Sequence, residues 1–108
     1  MKLLICIVQD NDVNPLMDEF VDHGYRVTKL SSTGGFLRSG NTTLLLGLEE
    51  ALVEEALEVI DRTCKRRKTM TTMMNPQLDG GVYQGLPIEI EIGGATVFQL
   101  DVDRMLRF

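Results

Sequence analysis

The densest set of ligand-capable residues is the run Ser32-Thr33-Gly34-Gly35-Phe36-Leu37-Arg38-Ser39-Gly40-Asn41-Thr42-Thr43. Adjacent glycines such as Gly34 and Gly35 let backbone amides approach a bound group closely or form an anion-binding nest. Arg38, with Arg26 and Lys29 just upstream, offers cationic donors to phosphate oxygens. Phe36 offers a ring face to a base. Asn41 carries the amide that pairs with an adenine edge through two hydrogen bonds, and Thr28 adds a hydroxyl. Together these residue types describe a purine nucleotide site. A Gly-rich turn with a buried Phe and a capping Asn uses the same composition, so residue types alone leave both readings open.

Other candidate motifs fail on chemistry. Gly35-x4-Gly40-Asn41-Thr42 is one residue away from a P-loop, but Asn41 stands where the phosphate-neutralising lysine is required. The segment after it is also strand-like, whereas a P-loop opens a helix. Asp10-Asn11-Asp12 resembles the start of a calcium loop, yet Pro15 replaces the turn glycine and Val21 the bidentate glutamate. His23 has no second histidine, and it reads as a helix-end residue. Glu89 and Glu91 alternate with isoleucines as an ordinary polar strand face. Cys6 and Cys64 show no metal or disulfide spacing and read as core thiols. No catalytic triad and no metal set can be assembled, so an enzyme and a bound cofactor are not expected.

These residues must be positioned by a chain of 108 residues, the size of one domain. With 44% hydrophobic and 25% charged residues, a packed core is affordable. Eleven basic against sixteen acidic residues give a formal charge of -5, which repels a nucleic-acid backbone but leaves a local anion pocket possible. DNA and RNA are therefore not expected partners. Leu3 to Val8 is too short an apolar run for a membrane span or a signal segment, and a cytoplasmic protein is expected.

Leu3 to Val8 is apolar on both alternating faces, as in a strand buried on two sides. Val13, Leu16, Met17, Phe20 and Val21 recur at helical spacing, with Asp12 or Asn14 as N-cap, Pro15 in the first turn and Gly24 as the stop. Strands are predicted over Tyr25–Ser31 and Asn41–Leu48, and a helix over Glu49–Lys65. That helix carries acids at its start and cations at its end. The cations Arg62 to Lys68, five of the eleven basic residues, read as a solvated helix terminus. A long flexible loop is predicted at about 69–86, with Met70, Met73 and Met74 as a plastic contact surface or as loop residues packed on the sheet. Ile88 to Ile92 and Ala95 to Val102 read as a hairpin through Gly93-Gly94.

The order β-α-β-β-α-β plus a C-terminal hairpin strand predicts an α+β, ferredoxin-like fold in a single domain, 1–108. Both helices then cover one sheet face. The opposite face is apolar too, and a sister subunit is the economical cover.

At RVTKLSSTGGFLRSGNTT and IEIEIGGATVFQLDVD, and at the opening MKLLICIVQDND, the sequence resembles the PII-like cyclic di-AMP receptors. The resemblance implies a homotrimer of ferredoxin-like subunits that binds cyclic di-AMP between neighbours, without catalysis, and signals to a protein target through its long loop. Carried over by position, it implies a ligand site of Arg26, Thr28, Gly35, Phe36, Leu37, Asn41, Gly47 and Phe98. The sequence departs from the family pattern at TTMMNPQLDGG, at VYQGLPIEIEI and at Gly24. The rival expectations are a PII-like sensor of ATP or ADP, a phosphodiesterase using the same cleft, and a structural trimer without ligand.

Overall fold

The computed structural model describes residues 1–30, 40–73 and 86–108. Among them run β1 (Lys2–Gln9), α1 (Asp10–Asp22), β2 (Val27–Leu30), β3 (Asn41–Leu48), α2 (Glu50–Cys64), β4 (Arg67–Met73), β5 (Leu86–Ile92) and β6 (Ala95–Asp101). The chain is thus α+β, with two helices and antiparallel sheets among the described residues. The main sheet has the order β2-β3-β1-β6, the arrangement of a small ferredoxin-like domain.

β1 occupies the centre because its apolar residues need cover on both faces. Its even-numbered side chains, Leu4, Cys6 and Val8, meet Leu44, Leu46 and Leu48 of β3 under the helices. Val13, Leu16 and Phe20 of α1 and Val53, Ala56, Val59, Ile60 and Cys64 of α2 complete this core. Each fully buried Leu or Phe here contributes about 1.5–3 kcal/mol. Neither helix carries a side-chain cap. Packing of their apolar faces holds them instead.

Three expectations change. First, α1 begins at Asp10, directly from β1, with Gln9 at the N-cap position. The Asp10 N–H donates to the Gly40 carbonyl at 2.8 Å, and the Thr42 hydroxyl donates to the Asp10 carboxylate at 2.6 Å. These contacts replace the expected Asp12 or Asn14 cap. Pro15 consequently lies inside the helix, where it offers no N–H to the Asn11 carbonyl.

Second, Gly93-Gly94 does not close a hairpin. β5 pairs with β4 in a separate two-stranded sheet, while β6 pairs with β1. Both glycines have positive φ, +87° and +93°. The Gly93 N–H donates to Gln9 Oε1 at 2.7 Å, and the Gly94 N–H donates to the Cys64 carbonyl. The turn thereby hands the chain from one sheet to the other, and the free edge of β1 gains its partner. Third, residues 69–73 of the expected loop belong to β4. Threonines alternate there with Lys68 and Met70, a strand pattern without an apolar face; Met74 lies outside the described residues.

Two glycines of positive φ separate strain from crowding. A Cβ on Gly93 would sit 2.6 Å from the Lys65 carbonyl oxygen and 2.7 Å from an Arg67 guanidinium nitrogen, whereas one on Gly40 meets nothing within 4 Å among the described residues. Gly40→Ala should therefore cost only the conformational penalty, about 1 kcal/mol, and Gly93→Ala roughly 3 kcal/mol or more, in urea unfolding. Equal losses would show that crowding at Gly93 is relieved without cost.

Candidate functional site

Strand register sorts the main sheet into two faces. Odd-numbered residues of β1 and β3 point away from the helices, and with them Thr28 and Leu30 of β2 and Thr96, Phe98 and Leu100 of β6. One rung across the sheet reads Phe98, Ile5, Leu45, Thr28. On this face Leu3, Ile5, Ile7 and Leu45 are half-buried, while Phe98 is 54% exposed and Leu100 is 45% exposed. A continuous apolar face is thus left open by the helices of its own chain.

The structure places all five described candidates on this face. Asn41 and Gly47 are its first and last positions on β3; Arg26 precedes β2 in line with Gly47; Thr28 and Phe98 occupy the middle rung. They do not converge within one chain. Asn41 and Gly47 are six strand residues apart, roughly 20 Å, and Phe98 and Thr28 are three strands apart, roughly 14 Å. Gly35, Phe36 and Leu37, like Gly34 and Arg38, lie outside the described residues. The segment containing them leaves from Leu30 and returns at Gly40, at the Asn41 end of the face.

Gly47 carries a separate signal. Its φ is not in the left-handed region, and among the described residues a Cβ there would meet only the Met1 sulfur, at 4.0 Å. Nothing among those residues demands glycine, although glycine weakens a strand. Such a position marks close approach by something else.

Two shallow clefts flank Asn41. One, of about 380 Å3, is bounded by Gln9, Asp10, Asn11 and Gly40. The other, of about 270 Å3, adds Arg66, Gly93, Gly94 and Thr96. Arg66, Gln9 and the glycine pair were not singled out for this place by sequence, because only the topology folds the start of β4 over the end of β1. The basic run itself is divided: Arg62 pairs with Glu19 at 3.0 Å, Arg67 with the buried Asp12 at 2.8 Å, Lys68 with Glu89 at 3.4 Å, and Arg66 with Glu91 at 3.1 Å.

Elsewhere the titratable groups are structural. Burial pushes the Cys6 thiol up to about 12 and the Cys64 thiol up to about 11, so both stay protonated in the core. His23 sits just past α1, its Nδ1 2.8 Å from the Glu19 carbonyl oxygen. Among the described residues no group of three or more His, Cys, Asp or Glu side chains is placed to hold a metal ion. No helix among them is long and apolar enough to cross a membrane.

Tyr25 fixes the chain just before Arg26. Its ring is buried against Phe20, and its hydroxyl donates to Glu55 Oε1 at 2.7 Å. Burial first, then the bond to Glu55, pushes this phenol up to about 12. The folded state therefore holds a proton that the unfolded chain releases near pH 10. Stability from this group is complete below about pH 10 and is lost as the pH rises toward 12. Urea midpoints should fall between about pH 9 and about pH 11 in the native protein, and fall less in Tyr25→Phe.

A sequence model described as cyclic-di-AMP receptor matches residues 1–108, the whole chain. Among solved structures, that of a functionally unknown protein from Pediococcus pentosaceus ATCC 25745 is 48% identical and superposes with a TM-score of 0.76. The match covers 99% of this chain and 96% of that one. The family match spans every residue, and the chain belongs to the cyclic-di-AMP receptor family.

Proposed function

We propose that the protein is a cytoplasmic, homotrimeric, non-catalytic receptor that binds cyclic di-AMP in the cleft between adjacent subunits. Arg26, Thr28, Gly35, Phe36, Leu37, Asn41, Gly47 and Phe98 form the site. Family membership supports the ligand. The observation that carries the location is the separation of Asn41 from Gly47 on one exposed sheet face. Residues about 20 Å apart serve one small ligand only when different copies of the chain supply them. The apolar open face supports the same assembly, because a second copy removes it from water.

In this reading Asn41 pairs with adenine, Phe36 packs on the base, and Arg26 with the amides of Gly35 to Leu37 meets the phosphates. Gly47 admits the ligand to bare backbone. Binding regulates an unidentified protein target by favouring one conformation of the segment between β4 and β5, which the ligand can do only through unequal affinity for the alternatives.

Titration calorimetry with cyclic di-AMP, cyclic di-GMP, ATP and ADP tests the ligand, with one selective site per subunit expected for cyclic di-AMP. A response to ATP or ADP alone would replace it with the mononucleotide reading. Light scattering should give three times the 12.1 kDa of one chain. Gly47→Ala should leave or raise thermal stability while weakening cyclic di-AMP roughly tenfold, the effect of a methyl group forced into a tight contact. Unchanged affinity in Gly47→Ala would remove that residue from the site.

A further inference from the structure

We propose that Arg66 is an additional phosphate-binding residue of the cyclic di-AMP site, and that it reaches the ligand by exchanging its contact with Glu91. This deepens the site assignment given above and rests on it. Arg66 and Asn41 border the same cleft of about 270 Å3, with Gln9, Gly93, Gly94 and Thr96. Asn41 and Thr96 lie on the open sheet face, so the guanidinium stands at the Asn41 end of that face. It is the one cation bordering the cleft among the described residues.

The other two arginines of the basic run are committed elsewhere. Arg67 is held by Asp12 and by the Lys65 carbonyl, and Arg62 by Glu19. Arg66 touches Glu91 through Nε, and the two side chains are 75% and 52% exposed. An ion pair so exposed is screened by water and salt and holds little. A guanidinium has five donors in a planar fork, and a phosphodiester offers two oxygens that match it. The exchange replaces a weak solvated contact with a paired one beside a base-binding amide.

Glu91 belongs to β5. A contact this exposed transmits little to that strand, so the exchange serves capture of the ligand rather than movement of the two-stranded sheet.

The full-length protein and variants Arg66→Gln, Glu91→Gln and Asn41→Ala should be titrated with cyclic di-AMP at two salt concentrations. Arg66→Gln is expected to weaken binding about tenfold and to flatten the salt dependence, as loss of a charged hydrogen-bond donor does. Glu91→Gln is expected to tighten binding, because its competition is removed. Unchanged circular dichroism and thermal midpoints are expected, since both side chains are exposed. Weakening in Asn41→Ala with unchanged affinity in Arg66→Gln would overturn the role of Arg66 and leave the site assignment standing. Unchanged affinity in both variants would overturn the assignment and this inference together. Because loss of a negative charge beside an anionic ligand tightens binding by itself, the gain in Glu91→Gln is measured again in the Arg66→Gln background; a gain of the same size there would overturn the exchange, and its disappearance is expected.

Discussion

β1 is apolar on both of its faces, and a strand of that kind can sit only where cover is available on two sides. Its even-numbered residues are covered by α1 and α2. Its odd-numbered residues, with Leu45, Phe98 and Leu100, make the opposite face, which the helices do not reach. The same requirement explains why β6 leaves β5 to pair with β1: without it the central strand would lack a partner on one edge. Position on the sheet, the location of the candidate residues and the exposed apolar surface are thus consequences of one sequence property.

What could be read from sequence follows the range of the forces involved. β3 and α2 were legible almost to the residue, because alternation and helical spacing are local and strong there. The helix start at Asp10 was not, since its stabilising contacts come from Gly40 and Thr42 on another element. Gly93-Gly94 has the composition of a hairpin turn, and local rules cannot distinguish that from a handover between sheets. The difference lies in Gln9 and Cys64, far away in sequence, which accept the two amides. The candidates Arg26, Thr28, Asn41, Gly47 and Phe98 are named from residue type and resemblance, but their shared face emerges only from the register. Arg66 sits in a basic run whose members turn to four different acidic partners, a division that sequence alone does not reveal.

The short stretch from Gln9 to Asp12 links three otherwise separate parts of the molecule. Gln9 holds Gly93, Asp10 holds the start of β3, and Asp12 holds Arg67 at the root of β4. Asp12 is 2% exposed, and its second carboxylate oxygen has no hydrogen-bond partner among the described residues. A buried charge of this kind is costly to strand, so Arg67 is held to its position more firmly than an exposed ion pair would hold it. The strand that carries the candidate ligand residues and the strand that opens the second sheet are therefore fastened to the same helical turn.

Among the described residues the β4–β5 sheet has two strands, and each has one backbone edge without a partner there. Such edges are templates for indiscriminate strand addition and fibre growth. Here Lys68 lies directly opposite Glu91, while the uncharged Met70 lies opposite Glu89, so acidic residues run along β5 and Lys68 answers one of them from β4. Pro87 withdraws one amide from β5. A second β5 laid in register against this one would set Glu89 and Glu91 against like charges, which disfavours that pairing.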